Sequence, residues 1–365
     1  MMESEILHIL REFFPDIDPD TPVIAYGNGH INDTYLVQTE PRCILQRINT
    51  NVFPRPYDVM ENIVAVTAHL REKIAQAGGN PARETLTVIS TPDGRTCVPD
   101  GAGNVFRVYL YIDAVSYDIP KTPDQMYRAA AAFGRFQKML ADFPADTLHE
   151  VIEGFHDTPC RYEQLRAAVE RDAASRVALV PDELAFARSY QDRVRIVRDR
   201  LADGRIPLRV TINDTKFNNV LFDRDTDDFV AVIDLDTVMP GSVLYDFGDA
   251  LRCGASTAAE DETDLSRVSF DCDVYRTFAQ GYLEEICPVL TPDEIELLPF
   301  SVLLLTYECG IRFLADYLNG DVYFKTHYPN HNLDRARNQF ALVRDIERKL
   351  PELERITSAI VEKLQ

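Results

Sequence analysis

The chain has 365 residues, 45% hydrophobic and 27% charged, the composition of a soluble globular protein with a sizeable core and length enough for two lobes. Its formal net charge of −21, from 59 acidic against 38 basic residues, argues against nonspecific binding to nucleic acid or to an anionic membrane, because both are bound through clustered cations. Seven scattered cysteines without C-x-x-C spacing argue against a disulfide framework or a zinc site; with no signal-like start in MMESEILHIL and no apolar run read as membrane-spanning, a reduced, cytoplasmic protein is expected.

An amphipathic segment (Ile6, Leu7, Leu10, Phe13, Phe14) precedes three expected strands, at Pro22–Tyr26, Thr34–Val37 and Cys43–Ile48. Gly27 and Gly29 flank Asn28 in the first turn, where glycines let backbone N–H groups approach a phosphate; Asn32 stands near the place of a third glycine. Asp58 is placed to cap a helix running to about Ala77, with Ile63, Val66, Leu70 and Ile74 at helical spacing and Gly78-Gly79 ending it. Strands at Thr85–Ser90 and Arg95–Val98, joined by the turn Thr91-Pro92-Asp93-Gly94, lead to a strand at Val105–Ile112. The first part thus reads as an antiparallel sheet built from these runs, with one long helix inserted after the third.

A hinge is expected at Asp113–Pro123, dividing the chain into lobes 1–113 and 114–365. Helices follow at Pro123–Leu140, Arg161–Asp172 and Asp182–Ala202. In the last, Arg193, Arg195, Arg198 and Arg200 are interleaved with Asp192 and Asp199 and are read as intrahelical pairs. Two short apolar runs, Val220–Phe222 and Phe229–Ile233, flank an aspartate-rich turn as a hairpin. After Gly254 the chain reads as helical, with the least polar helix at Ile295–Leu318. The fold class is α+β.

The chemistry is expected between Val210 and Gly248. Asp214 and Asn219 stand five residues apart, and Asp234 ends the next strand with Asp236 two residues on. Such oxygen donors suit Mg²⁺, which takes one or two carboxylates and completes its shell with substrate phosphates. Asp214 is then left to accept a hydroxyl proton, and Lys216 to stabilise a transferring phosphoryl, the division of labour that transfer from ATP requires.

Asp214-x-x-x-x-Asn219 and Ile233-Asp234-Leu235-Asp236 resemble the catalytic loop and metal motif of the aminoglycoside phosphotransferase and choline kinase superfamily, which shares a two-lobed fold with protein kinases. Within it, Tyr26-Gly27-Asn28-Gly29-His30-Ile31-Asn32, Asn213–Asn219, Ile233–Thr237, Met239–Ser242 and Cys309–Leu318 resemble the N-acetylhexosamine 1-kinases. The likeness spans nearly the full chain. It implies ATP-dependent phosphorylation of the anomeric hydroxyl of N-acetylglucosamine or N-acetylgalactosamine. Asp214 is then the base, Asn219 and Asp234 hold the metal with Asp236 as helper, Gly27 and Gly29 cover the triphosphate, and Tyr111–Asp113 meets the adenine.

The sequence departs from that pattern at three points. Ile212 replaces the usual His two residues before the catalytic Asp. Gln46 takes the inward place on the strand that normally offers a cation to the phosphates, leaving Glu61 on the following helix without its usual partner and the phosphate cation unassigned. Asp246-Phe247-Gly248 spells the protein-kinase metal motif but precedes a helix, so Asp246 is read as an N-terminal cap. For the sugar, the candidates are Arg312, read as functional or paired with Asp316 or Glu308, the rings of Tyr317, Tyr323 and Phe324, and His30 beside the glycine turn. Kinases of other small alcohols share the catalytic residues, and a pseudokinase is the other alternative.

Overall fold

The computed structural model of the chain describes residues 3–27 and 31–365. In chain order the strands are β1 (Val23–Ala25), β2 (Asp33–Val37), β3 (Cys43–Ile48), β4 (Val88–Ile89), β5 (Val98–Pro99), β6 (Val105–Leu110), β7 (Arg209–Thr211), β8 (Val220–Phe222), β9 (Phe229–Val232) and β10 (Met239–Gly241). The helices are α1 (Glu3–Phe13), α2 (Pro56–Gln76), α3 (Pro81–Glu84), α4 (Pro123–Met139), α5 (Thr158–Arg171), α6 (Pro181–Ser189), α7 (Ile196–Ala202), α8 (Val243–Gly254), α9 (Cys272–Ile286), α10 (Pro292–Asn319) and α11 (His331–Leu364). They fall into two compact units. One holds residues 1–116, 142–152 and 219–240, and the other 117–141, 153–218 and 241–365.

The first unit is built on an antiparallel sheet ordered β1-β2-β3-β6-β4, with β5 also on β6. All six runs read as strands contribute to the sheet. The run expected at Thr85–Ser90 pairs as a strand only at Val88–Ile89, with Leu110 N–H also donating to the Thr87 carbonyl at 2.9 Å. The turn at Thr91–Gly94 forms as expected, closed by Thr91 N–H to the Arg95 carbonyl at 2.9 Å. One sheet face is apolar: Cys43 and Leu45 of β3 and Phe106 and Val108 of β6 pack with Ile6, Ile9, Leu10 and Phe13 of α1. Alternation turns Gln46 and Arg107, directly opposed in the β3–β6 register, to the other side, where Met60 of α2 lies. The same unit carries the β8–β9 hairpin, paired Val220 to Val232 and closed by Ile233 N–H to the Asn219 carbonyl at 2.9 Å.

The second unit is helical. Helices α4 and α9 approach so closely that a Cβ on Gly134 would lie 2.5 Å from the Tyr282 carbonyl, and one on Gly281 2.3 Å from that of Tyr127. The helix expected at Asp182–Ala202 is two, α6 and α7. Between them Tyr190 and Arg193 both reach Glu347 of α11, so tertiary contacts bend the chain there. The arginine cluster is likewise only partly intrahelical: Arg195 pairs with Asp199, but Arg198 reaches Asp157 and Arg200 reaches Asp293.

Helix α10 opens with a capping box between Thr291 and Glu294 and closes at Gly320 in the left-handed region. By length and composition it is apolar enough to cross a membrane, which corrects the reading that no such run exists. Yet 94% of its most apolar window is buried inside the unit, so it serves here as a core helix.

Candidate active site

The loop after β7 carries Asp214, and its backbone is held at successive points. Asn213 adopts a left-handed φ of 63°. Its N–H donates to Asp246 Oδ1 at 2.7 Å, that of Ile212 to Asp246 Oδ2 at 2.9 Å, and that of Thr215 to Asp249 Oδ2 at 3.2 Å. Asp214 is half-buried, with Lys216 Nζ 2.8 Å from its Oδ1. The predicted base and the predicted phosphoryl-stabilising cation therefore do meet.

Asp246 is not the cap of α8. Ser242 caps α8, its hydroxyl accepting from Leu244 N–H at 3.3 Å, whereas Asp246 lies one turn further in and holds the Asp214 loop. Burial pushes its carboxyl from the ordinary 3.8 up to about 6, against the pull of the Ile212 and Asn213 amides, Gln137 and His156. The folded pKa exceeds the unfolded one, so the native state binds the extra proton between about pH 4 and 6. Stability from this group accordingly falls as pH rises through that window. Asp246→Ala would strip buried amides of their acceptor and is expected to cost about 2–4 kcal/mol in urea unfolding without moving the Mg²⁺ concentration for half-maximal activity. A loss of Mg²⁺ dependence at unchanged stability would return the metal to Asp246.

The first unit holds the predicted metal residues. Asn219 is buried at the base of the β8–β9 hairpin, and Asp234 follows β9 at a left-handed φ of 59° with its side chain exposed. Asp236 is buried, 2.5 Å from Arg107 Nη2, and its Oδ2 accepts from Asn32 Nδ2 at 2.7 Å. Its Oδ1 receives no aligned hydrogen bond among the described residues.

Asn219, Asp234 and Asp236 bring together oxygen donors of the kind a hard cation takes beside water and phosphate, although Asp236 Oδ1 already faces Arg107. Asn219 and Asp234 would hold such a cation, while the guanidinium against Asp236 already balances that carboxylate.

The cation missing from β3 stands on β6. Arg107 is 1% exposed and donates to Gln46 Oε1 from Nε at 3.0 Å and Nη2 at 2.9 Å while it faces Asp236. Burial opposes its charge, yet the Asp236 and Asp234 carboxylates and Tyr109 outweigh it and raise the pKa. Gln46 thus turns inward as strand parity requires, and Arg47 pairs with Asp33 instead. Glu61, expected as the helix partner of a cation, is exposed and bound to His149. The buried polar residue of α2 is its neighbour Asn62, donating to the Val238 and His149 carbonyls, each at 2.8 Å.

Gly27 has a left-handed φ of 76° with open space around a notional Cβ, while Gly29 and His30 lie outside the described residues. Tyr111 stacks edge-on to Tyr26 at 6.0 Å and beneath Arg42 at 4.4 Å, and Asp113 accepts from Arg42 and Arg224. The segment expected to meet adenine is thus a cluster of rings and ion pairs.

Among the described residues Arg312 makes no close ion pair with either partner considered for it, although its charge acts on Glu308. Asp316 is occupied by the N–H groups of Val322, Tyr323 and Phe324 and by Asn332, and Glu308 by His156 and Thr158. The Arg312 guanidinium instead lies 5.5 Å from the Phe155 ring and 5.6 Å from that of Phe324. Burial first, and the neighbouring Arg312 charge second, hold the pKa of Arg161 below its ordinary value. Tyr323 is 67% exposed and packs edge-on to Phe324. Tyr317, expected against substrate, is 2% exposed beneath Arg176 and is a core residue.

Sequence reading gave no role to Arg107, His156 or Arg161, and noted Asn32 only within the glycine turn. Arg107 left a local signal, a charge in the otherwise apolar strand Val105–Leu110.

Comparison with solved structures places this fold. A microcompartment-associated aminopropanol kinase superposes with a TM-score of 0.63 at 17% identity, over 95% of this chain and 98% of that one. An amicoumacin kinase in complex with AMP-PNP, Ca²⁺ and Ami gives 0.58 at 15%, over 96% and 94%. A choline/ethanolamine kinase family protein from Mesorhizobium loti gives 0.56 at 16%, over 99% and 100%. These likenesses establish the protein-kinase-like two-lobed α+β fold. The model of the phosphotransferase enzyme family, APH, matches residues 23–286, and with that match over most of its length the chain belongs to the APH phosphotransferase family.

Proposed function

We propose that this phosphotransferase is an N-acetylhexosamine 1-kinase, moving the γ-phosphoryl of ATP to the anomeric hydroxyl of N-acetylglucosamine or N-acetylgalactosamine. In the step, the sugar O1 attacks the γ-phosphorus, the O1–P bond forms and the bond to the β,γ-bridging oxygen breaks. The hydroxyl proton passes to the Asp214 carboxylate and ADP leaves. Mg²⁺ on Asn219 and Asp234 would neutralise the phosphate oxygens when bound. Lys216, beside Asp214, supplies positive charge near the accepting hydroxyl.

The observation that supports a sugar over a cationic alcohol is the Arg312 cluster, in the same unit as Asp214. The Arg312 guanidinium stands over the rings of Phe155 and Phe324, Arg161 donates to the Phe155 carbonyl and feels the Arg312 charge, and Glu308, the carboxylate near both, is already engaged by His156 and Thr158. An ammonium acceptor would meet like charge there without a free counter-ion, whereas an acetamido carbonyl and ring hydroxyls would find donors and apolar faces.

An ADP-release screen with Mg²⁺-ATP over N-acetylglucosamine, N-acetylgalactosamine, glucose, choline, ethanolamine, 1-amino-2-propanol and kanamycin tests this. Turnover is expected with the acetamido sugars, and with glucose more weakly. Turnover of an amine while both acetamido sugars stay silent would overturn the assignment.

A further inference from the structure

The family's loop histidine is replaced by Ile212, which is fully buried and attached through its amide to Asp246. Another histidine reaches the same loop from the segment before α5. His156 Nε2 lies 3.1 Å from the Asn213 carbonyl, and Nδ1 lies 2.7 Å from Glu308 Oε1. Thr158 donates to the second Glu308 oxygen at 2.6 Å.

A peptide carbonyl and a carboxylate only accept hydrogen bonds, so both contacts are made together only if both ring nitrogens carry hydrogen. That ring is a cation. Asp246 already holds the Asn213 N–H, and His156 takes the carbonyl, so the left-handed residue before Asp214 is clamped on both sides.

We infer that His156, as an imidazolium held by Glu308, is the positioning residue of the catalytic loop: it fixes the peptide joining Asn213 to Asp214 and so aims the Asp214 carboxylate. The groups facing it are Glu308 from α10, Asp246 and Asp249 from α8, the Tyr245 ring at 5.5 Å and the Phe155 ring at 4.6 Å. Burial works against the ring's charge, but Glu308 outweighs it with help from Asp249 and the Asn213 carbonyl, so the pKa is raised. Burial also works against the charge of Glu308, and His156, Arg312 and Thr158 outweigh it. The pair therefore stays charged to higher pH than a free imidazole would.

The inference rests on Asp214 as base, and the test separates the two ideas. His156→Gln, which can serve only one partner well, should lower kcat by about 10²-fold with little change in KM for ATP, as expected for a displaced reacting group. Added to Asp214→Asn it should cost little more, because its effect runs through Asp214. Glu308→Gln should remove the counter-charge and create a new pH limb, with activity present at low pH and lost as pH rises past about 6.5. Long-range ¹H–¹⁵N spectra of the unmodified protein should show one histidine doubly protonated at pH 7.5, its signal absent in His156→Gln.

A neutral tautomer at that pH, or His156→Gln and Asp214→Asn effects that simply multiply, would overturn the inference. A near-normal rate in Asp214→Asn alone would instead remove the reading of Asp214 as base.

Discussion

Asp214→Asn is expected to lower kcat by about 10²–10⁴-fold, with little change in the KM for ATP and in unfolding stability. The amide keeps the size and hydrogen-bonding reach of the carboxylate but cannot take the proton from the sugar hydroxyl. Local structure should survive, because the loop backbone is held by Asp246, Asp249 and His156. The lost Lys216 ion pair is partly exposed and worth little in stability. Steady-state kinetics beside a urea melt check this. A near-normal kcat would assign Asp214 no role as base.

Arg107→Met should be the most destabilising single change in the first unit, by about 3–5 kcal/mol in urea unfolding. The substitution leaves the Asp236 carboxylate, 3% exposed, without its counter-charge, and takes both donors from Gln46 Oε1. Asp236→Leu alone should also destabilise, by stranding the guanidinium. The double variant Arg107→Met/Asp236→Leu should recover much of the loss, since replacing a whole buried pair is tolerated far better than breaking it. Additive losses would show that Arg107 is held by packing and not by Asp236. Because Asn32 binds the other Asp236 oxygen, the single variants should also loosen the segment that follows the glycine turn.

These two residues differ in how far the sequence disclosed them. The placement of Asp214 on a loop after a strand and of Asn219 and Asp234 at the base of one hairpin was legible from local pattern, and β8 pairing with β9 brings Asn219 and the residue before Asp234 together. The sheet and the long helix were legible for the same reason, through alternation and helical period. The assignments that changed depend on distant partners.

Asp246 reads as a cap when seen beside its own helix, and becomes a loop anchor only once β7 is laid against it. Tyr317 sits next to promising aromatic residues in sequence but turns under Arg176. His156 has an ordinary local context, and its partner Glu308 is 152 positions away. Sequence parity excluded Arg47 as the inward cation, but only the β3–β6 register shows that Arg107 fills the place opposite Gln46.

The central claim, that the accepting oxygen is the anomeric one of an acetamido sugar, is tested most directly by ³¹P–¹H correlation of the product made from N-acetylglucosamine and Mg²⁺-ATP. The account predicts a phosphorus signal coupled to the anomeric proton H1. Coupling to the H6 protons, or no sugar phosphate at all while an amino alcohol is phosphorylated, would contradict it.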